Sequence, residues 1–458
     1  MLVTAAMACA FSPGGVHAQT NPVSAALLAA PLSMADALNQ ALRQNAAVRK
    51  ARADLEASHG VIVQTRAIAY PKVRASGAFQ ANDPGAVEQF PFTAPPGFGA
   101  IRVEQPDETW NASVRLIQSV YEGGRINSAL RSARATRQQA FASYQATVSD
   151  VYLSTRMAYD DVLLAEQQIA VQEASTKLLQ RELEDTTRRF EAGTVPRFNQ
   201  LRAEVELANA RPRLIRARNA YRIAKNNLAN LLGINLPAST SDEIPLQLSG
   251  KLEAQPWSLS LPMAIMRALD QRAELSALRE AVRLRHENVI GARSGYKPSV
   301  QIFGGYGSRN STFSSDLSRD VSGWFTGVQA SWDIFDGGAT RGRVIEARAL
   351  EEKARLDIDD TSRRIELEVR TAHSNLLEAR ELLESQSKVQ EQADEALRLA
   401  QARVEAGTAT QLDVLGAQTA LTEARTTQVQ ALHDYSVARA RLERSIGLST
   451  VTENGSGK

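Results

Sequence analysis

Tyr121-Glu122-Gly123-Gly124 and Phe335-Asp336-Gly337-Gly338 are one turn written twice, 214 residues apart (338 − 124). Phe190-Glu191-Ala192-Gly193-Thr194 and Val404-Glu405-Ala406-Gly407-Thr408 recur at the same interval. So do Trp110/Trp324, Arg156/Arg370, Tyr221/Tyr435 and Gly233/Gly447. One register therefore holds from Trp110 to Ile234 without an insertion. Upstream the interval becomes 227: Ala41-Leu42 corresponds to Ala268-Leu269, His59 to His286 and Pro71 to Pro298. The change falls between Pro71 and Trp110, where Pro84, Pro91, Pro95 and Pro96 mark a longer loop. The chain is an internal duplication, and its fold must be assembled from two equivalent halves.

These turns bound long helical stretches. Residues 125–192 and 343–406 contain neither Gly nor Pro. Apolar positions step by three and four through Ile126, Leu130, Ala133, Ala140, Tyr144, Val148, Val151, Ala158, Val162, Ala165 and Ile169, the spacing of a coiled coil. At 1.5 Å per residue each stretch reaches about 100 Å, more than any single compact domain needs. The shorter stretches 37–69 and 197–232 together come close to the length of one long helix, and 264–296 with 411–446 repeat the pattern. This predicts two short helices stacked end to end beside each long one. A non-helical belt at mid-rod is expected over 235–263, where Pro237, Pro245, Pro256 and Pro262 cluster. Pro212 is expected to kink or interrupt its helix.

Between short and long helices the period changes to two. Val73, Ala75, Gly77, Phe79 and Ala81 alternate with Lys72, Arg74, Ser76, Ala78, Gln80 and Asn82. Trp324, Thr326, Val328, Ala330, Trp332 and Ile334 share one face, opposite Gln329, Ser331 and Asp333. Trp324 and Trp332 would stand about 27 Å apart at 3.4 Å per residue, close to the roughly 25 Å apolar band and aromatic girdles of an outer-membrane barrel. Trp110, Trp324 and Trp332 are thus candidate membrane-interface aromatics. A hairpin of a soluble β-domain alternates in the same way, but the long helices leave such a domain no core. Two strands per half give four per chain. An open edge is not tolerated in lipid and the smallest membrane barrels have about eight strands, so several chains must share one barrel.

Composition agrees with this reading. With 53 Lys+Arg against 51 Asp+Glu there is no basic surplus for nucleic acid. Mean hydropathy of −0.28 and the lack of a long apolar run exclude a helical membrane span, whereas a barrel strand is short and half polar. The one cysteine, Cys9, rules out a disulfide framework. Residues 1–18 have the length and small residues (Val16-His17-Ala18) of a cleaved signal peptide, although the first cation is Arg43; a lipid-anchored Cys9 would leave too short an apolar region.

The expected order is therefore a signal peptide (1–18), an N-terminal mid-rod segment (19–36), a first repeat (37–234), the belt (235–263), a second repeat (264–448) and a tail (449–458). The first repeat holds a helix, a hairpin (71–119), a long helix (125–192), a tip (193–196) and a helix (197–232). The second holds a helix, a hairpin (298–334), a long helix (343–406), a tip (407–410) and a helix (411–446).

The duplication, the Gly123-Gly124 and Gly337-Gly338 strand-to-helix turns, Pro71 and Pro298 at the helix-to-strand junctions, the Gly193-Thr194 and Gly407-Thr408 tips, and Gly407-Thr-Ala-Thr-Gln-Leu-Asp413-Val-Leu followed by Ala417, Leu421 and Ala424-Arg425 carry a resemblance. Each motif alone is weak; all of them in order and in duplicate are specific. The chain resembles the TolC-type outer-membrane efflux protein family over nearly its whole mature length. The resemblance implies a homotrimer with a shared 12-stranded outer-membrane β-barrel, continued by a long α-helical, coiled-coil barrel in the periplasm of a Gram-negative-type bacterium. Such a protein is a passive exit duct, without cofactor or catalytic residues, for substrates that an inner-membrane pump of the RND or ABC type delivers through a periplasmic adaptor. Carried over by position, Gly193, Thr194, Gly407 and Thr408 are the adaptor-docking turns. Asp413 matches an acidic ring at the periplasmic aperture, with Gln411, Arg197 and Asn199 beside it. The family's frequent second acid is Gly416 here, and a frequent basic residue is Ala409; Arg197 is the expected substitute, pairing with Asp413 across the bore. An acid favoured by the dipole at a helix N-terminus explains Asp413 equally well, and Gly193 and Gly407 also suit helix C-caps.

The histidines His17, His59, His286, His373 and His433 lack metal-ligand spacing. Gly304-Gly305-Tyr306-Gly307 lies in a strand pattern with no Lys-Ser/Thr after it, so close packing is expected rather than a phosphate loop. The competing function, a periplasmic adaptor, also uses long helical hairpins, but would carry one hairpin and small β-domains instead of a full duplication.

Overall fold

The computed structural model describes residues 31–83, 85, 106–234, 244–254, 256–311 and 316–448. The signal-peptide residues with Cys9, the loop prolines Pro84, Pro91, Pro95 and Pro96, Pro237 and the tail 449–458 lie outside the described residues. The elements run α1 (Met34–Gln44), α2 (Ala46–Arg66), β1 (Lys72–Ala81), β2 (Glu108–Glu122), α3 (Arg125–Glu191), α4 (Arg197–Leu231), α5 (Leu261–Gln271), α6 (Ala273–Arg293), β3 (Ser299–Asn310), β4 (Asp320–Ser331), α7 (Ala339–Glu405) and α8 (Gln411–Ile446). No described helix is long and apolar enough to cross a membrane.

The duplication is visible in the element bounds. α3 and α7 are each 67 residues, in register at the 214-residue interval. The expected start of the second long helix at residue 343 is four residues late, because Gly342 sits inside the first turns of α7, where one glycine costs only about 1 kcal/mol. The single helices expected over 37–69 and 264–296 are each two helices. The first breaks at Asn45, whose Oδ1 accepts from Ala47 N at 2.8 Å while its Nδ2 donates to Leu231 O at 2.9 Å. The second breaks at the corresponding Arg272, whose guanidinium forks onto Glu274 at 3.0 and 3.2 Å. Local hydrogen bonding at these residues outcompetes helix continuation. Pro262 opens α5 instead of closing the belt, as suits a proline in a first helical turn. Pro212 lies within α4 without interrupting it.

The chain forms two compact units. One comprises the described parts of Met1–Arg49, Thr147–Ala268 and Glu368–Lys458. Here α3 and α8 form a central pair, joined by Thr422 Oγ1 to Ser175 Oγ at 3.1 Å and by Arg444 to Asp150 at 2.7 Å. α4 is tied to α3 by Arg218–Glu173 at 2.8 Å, and α7 to α8 by Arg425–Asp394 at 2.7 Å. Leu397, Val414 and Leu421 close an apolar cluster with Leu178. The belt is anchored in this unit: Leu32 and Leu248 form a parallel bridge, Tyr159 donates its hydroxyl to Leu32 O at 2.9 Å, and Gly250 N donates to that hydroxyl at 3.1 Å. Tyr159 and Leu246 are almost wholly buried, so the belt packs on α3 through an aromatic whose polar tip is satisfied.

The other unit, Lys50–Ala146 and Leu269–Leu367, contains the sheet. Its four strands lie in the order β1-β2-β3-β4, antiparallel throughout. β2 continues to Glu122, past the expected end at 119 and with a bulge between Ser119 and Tyr121. β4 stops at Ser331, so Trp332 and Ile334 lie beyond the strand. The ladder stops there because its partner runs out: Ser299 pairs with Ser331, and the preceding Pro298 has no N–H to donate. Trp332 instead donates Nε1 to Tyr296 O at 3.2 Å.

Candidate functional site

In the sheet-bearing unit, residues directly opposite one another share a face. Register places Ala75, Val114, Tyr306 and Trp324 in one row, with Val73, Leu116, Phe79, Trp110, Ile302 and Val328 on the same side. Most of these apolar residues are exposed, and Trp324 retains 78% of its surface. The other side carries Lys72, Arg74, Arg115, Ser113, Asn111, Gln301, Gln329 and Arg309. One face is made for an apolar surrounding and the other for water. Trp110 donates Nε1 to Leu317 O at 3.1 Å, so its indole is held near the end of the sheet.

Two glycines leave room for aromatic rings on the polar side. A Cβ on Gly305 would stand 2.3 Å from Val114 O and 2.8 Å from the Phe325 ring; one on Gly327 would stand 2.7 Å from Phe303. Arg115 places its guanidinium 4.3 Å from the Phe303 ring centroid. The Gly304–Gly307 run is thus a packing device in a strand. At the strand-to-helix turns Gly123, Gly124, Gly337 and Gly338 all have positive φ, and Asp336 accepts from Gly338 N at 3.0 Å and Thr340 N at 2.6 Å, capping α7.

In the other unit the two tips are geometric duplicates. Gly193 and Gly407 have φ of 73° and 74°. Thr194 N donates to Arg189 O at 2.9 Å and Thr408 N to Arg403 O at 2.9 Å, each hydroxyl reinforcing the same carbonyl. Each tip is a left-handed helix C-cap, a conformation that costs glycine little. The tips differ in how the next helix begins. α4 starts after Pro196, with no side-chain cap, and presents exposed Phe198 beside Arg197 and Asn199. α8 follows the N-cap residue Thr410, starts with Gln411 and Leu412, and is closed by a capping box of Thr410 and Asp413. Asp413 Oδ2 accepts from Thr410 N at 2.8 Å and Thr410 Oγ1 at 2.9 Å. Those bonds, with a smaller contribution from Arg403, hold its carboxyl below the usual aspartate range. Within one chain Asp413 is therefore engaged by Thr410, not by Arg197.

A partly buried polar cluster between α3 and α8 escaped the sequence reading. His433 places Nε2 at 2.8 Å from Asp161 and Nδ1 at 3.1 Å from Asp434. Ser436 donates to buried Asp160 at 2.6 Å, and Arg156 pairs with Glu443. Burial disfavours charge on His433, but the two carboxylates outweigh it and raise its pKa. Burial dominates at Asp160 and raises its pKa against the Ser436 bond and the Arg156 charge. The partners lie far apart in sequence, so no motif announces them.

Duplicated hairpins with an apolar and a polar face, and two helices of 67 residues ending in duplicate glycine turns, are the features of an outer-membrane channel chain. The outer membrane efflux protein family matches residues 37–234 and 264–448, and the chain belongs to it. It is an outer-membrane channel of the tripartite efflux and secretion kind. It is 24% identical to the outer membrane protein TolC of Vibrio cholerae over 422 residues, covering 91% of this chain and 90% of that one. It is also 24% identical to the cobalt-zinc-cadmium resistance protein CzcC of Cupriavidus metallidurans, covering 93% and 92%. The solved outer-membrane channel OprN superposes with a TM-score of 0.74 at 22% identity, over 91% of this chain and 90% of that one. The Campylobacter jejuni CmeC channel gives 0.75 at 16%, over 90% and 85%.

Proposed function

We propose that three copies of this chain close a twelve-stranded barrel in the outer membrane and continue it as a helical duct into the periplasm. The supporting observation is the four-stranded sheet, whose β1 and β4 are unpaired edges and whose exposed face is apolar. Edges of that kind must be paired in lipid, and twelve strands lie within the range of such barrels. Lys72, Arg74 and Arg115 then face the lumen, and Trp110, Trp324 and Trp332 take the membrane interfaces. The Gly193-Thr194 and Gly407-Thr408 turns are the surfaces for a periplasmic adaptor, which links the duct to an inner-membrane pump of the RND or ABC type. Asp413, with Arg197, Asn199 and Gln411, lines the periplasmic aperture. Transport is passive in this chain, which supplies a path and no chemistry.

The test is electrical. Purified protein added to a planar lipid bilayer should insert as discrete conducting units, and Asp413→Asn should reduce their preference for cations. Protein that never conducts, or that leaves outer membranes without detergent as an adaptor would, contradicts the reading.

A further inference from the structure

The polar side of the sheet divides into a cationic half and an aromatic half. One row of the ladder reads Arg74, Arg115, Gly305 and Phe325 from β1 to β4. The row two residues along reads Lys72, Ile117, Phe303 and Gly327. β1 and β2 thus carry the cations, and β3 and β4 the rings. Each ring stands opposite a glycine of the other strand, and the two centroids lie 6.5 Å apart with planes tilted by 46°. Arg115 joins the halves, its guanidinium 4.3 Å from the Phe303 centroid.

Nothing in the sheet neutralises the cationic half. Arg74 and Arg115 are directly opposite one another, an arrangement of like charges that costs a sheet stability. Among the described residues, the one acid that the ladder places on this side is Glu122, at its very end, and Arg125 binds it at 2.6 Å. None of the described residues accepts a hydrogen bond from Arg74 or Arg115, and Arg115 Nε is shut away from solvent without a partner. Arg309 adds a further cation on this side, four residues, or about 14 Å, from the Arg115 row. Charge kept at a cost and left uncompensated marks a functional site rather than a structural one.

We infer that this patch binds flat organic anions: an aromatic or similarly planar body carrying a carboxylate, sulfonate or phosphate. Arg74 and Arg115 fork onto the anionic oxygens, and the body lies against Phe303 and Phe325. A small inorganic anion meets only the first half and an uncharged aromatic only the second, so the patch favours the solute that has both. Such a solute keeps one side in the water of the bore, which makes its binding weak and its release quick, as conduction requires. The inference rests on the barrel proposed above, in which this side faces the lumen, and adds the class of cargo that the lumen favours.

The test uses full-length protein in a planar bilayer at 0.1 M salt, with naphthalene-2-sulfonate as the probe. It should block the wild-type current in a saturable way, and methanesulfonate, with the same charge and no ring, should not. Arg115→Gln and, separately, Phe303→Leu/Phe325→Leu should each raise the half-blocking concentration about ten-fold. Arg115→Lys keeps the charge without the fork, so it should weaken the block while ion selectivity stays as in the wild type. Arg309→Gln removes an equal charge beyond the screening length and should move the half-blocking concentration by less than about two-fold. Variants that insert with wild-type conductance have folded; if Arg115→Gln does not insert, Arg74→Gln, exposed on β1, carries the same prediction. A conducting wild type that naphthalene-2-sulfonate does not block, equal block by methanesulfonate, or an Arg309→Gln effect as large as that of Arg115→Gln overturns the binding patch alone. A wild type that never conducts overturns the barrel reading instead.

Discussion

Asp413 closes a capping box with Thr410: its Oδ2 receives both the backbone N–H, at 2.8 Å, and the hydroxyl, at 2.9 Å, of the residue three positions before it. The carboxylate that the aperture reading needs is thus also the one that starts α8. The two roles separate by substitution. Asp413→Asn removes the charge yet keeps an acceptor, so bilayer conductance should lose cation preference while the thermal unfolding midpoint stays close to that of the wild type. Thr410→Ala weakens the cap and keeps the charge, so selectivity should stay as in the wild type. Because hydrogen bonding lowers the carboxyl's pKa, the cap persists at neutral pH and is lost only as the pH falls through its depressed value.

Asp160 is buried beside α8 and its pKa is raised chiefly by that burial. Asp160→Asn keeps an acceptor for Ser436 and removes a charge that is costly to bury. Thermal or denaturant unfolding should show unchanged or greater stability, by about 1 kcal/mol. Ser436→Ala leaves the Asp160 carboxylate without its 2.6 Å donor and should cost about 1–3 kcal/mol.

His433 joins α8 to α3 between Asp161 and Asp434, and its pKa is raised by them against the burial that lowers it. A raised histidine pKa stabilises the folded state below the ordinary value of about 6.5, and the contribution disappears as the pH climbs through the raised one. Both carboxylates are about half exposed, so the effect should stay under about 1 kcal/mol. Amide exchange in the α3–α8 contact should quicken as the pH rises above about 6.5, beyond the intrinsic trend, and His433→Gln should abolish the excess.

Gly305→Ala should impair formation of the sheet, because its Cβ would lie 2.3 Å from a backbone oxygen that cannot yield. The expected cost is about 1–3 kcal/mol, seen as a smaller folded fraction on refolding into detergent. Gly323→Ala, with open space around the site, is the control and should fold as the wild type.

Interval arithmetic on two glycine turns located α3, α7 and the tips, since nothing in a coiled-coil stretch competes with its period. It failed where a single residue decides locally. Asn45 and Arg272 break helices whose apolar pattern runs straight through them, and their partners, Leu231 O and Glu274, do not enter a periodicity. Trp332 shares the parity of Trp324, yet parity cannot show that Pro298 ends the facing strand. Asp413 was legible as an acid at a helix N-terminus but its bond to Thr410 was not, and the Asp161–His433 contact, spanning 272 residues, had no local signature.

The central claim is that one barrel is shared by three chains. Native mass spectrometry of the protein released from detergent micelles measures this directly. The account predicts a dominant species of three chains that survives only with amphiphile present; a stable single chain, soluble in plain buffer, would contradict it.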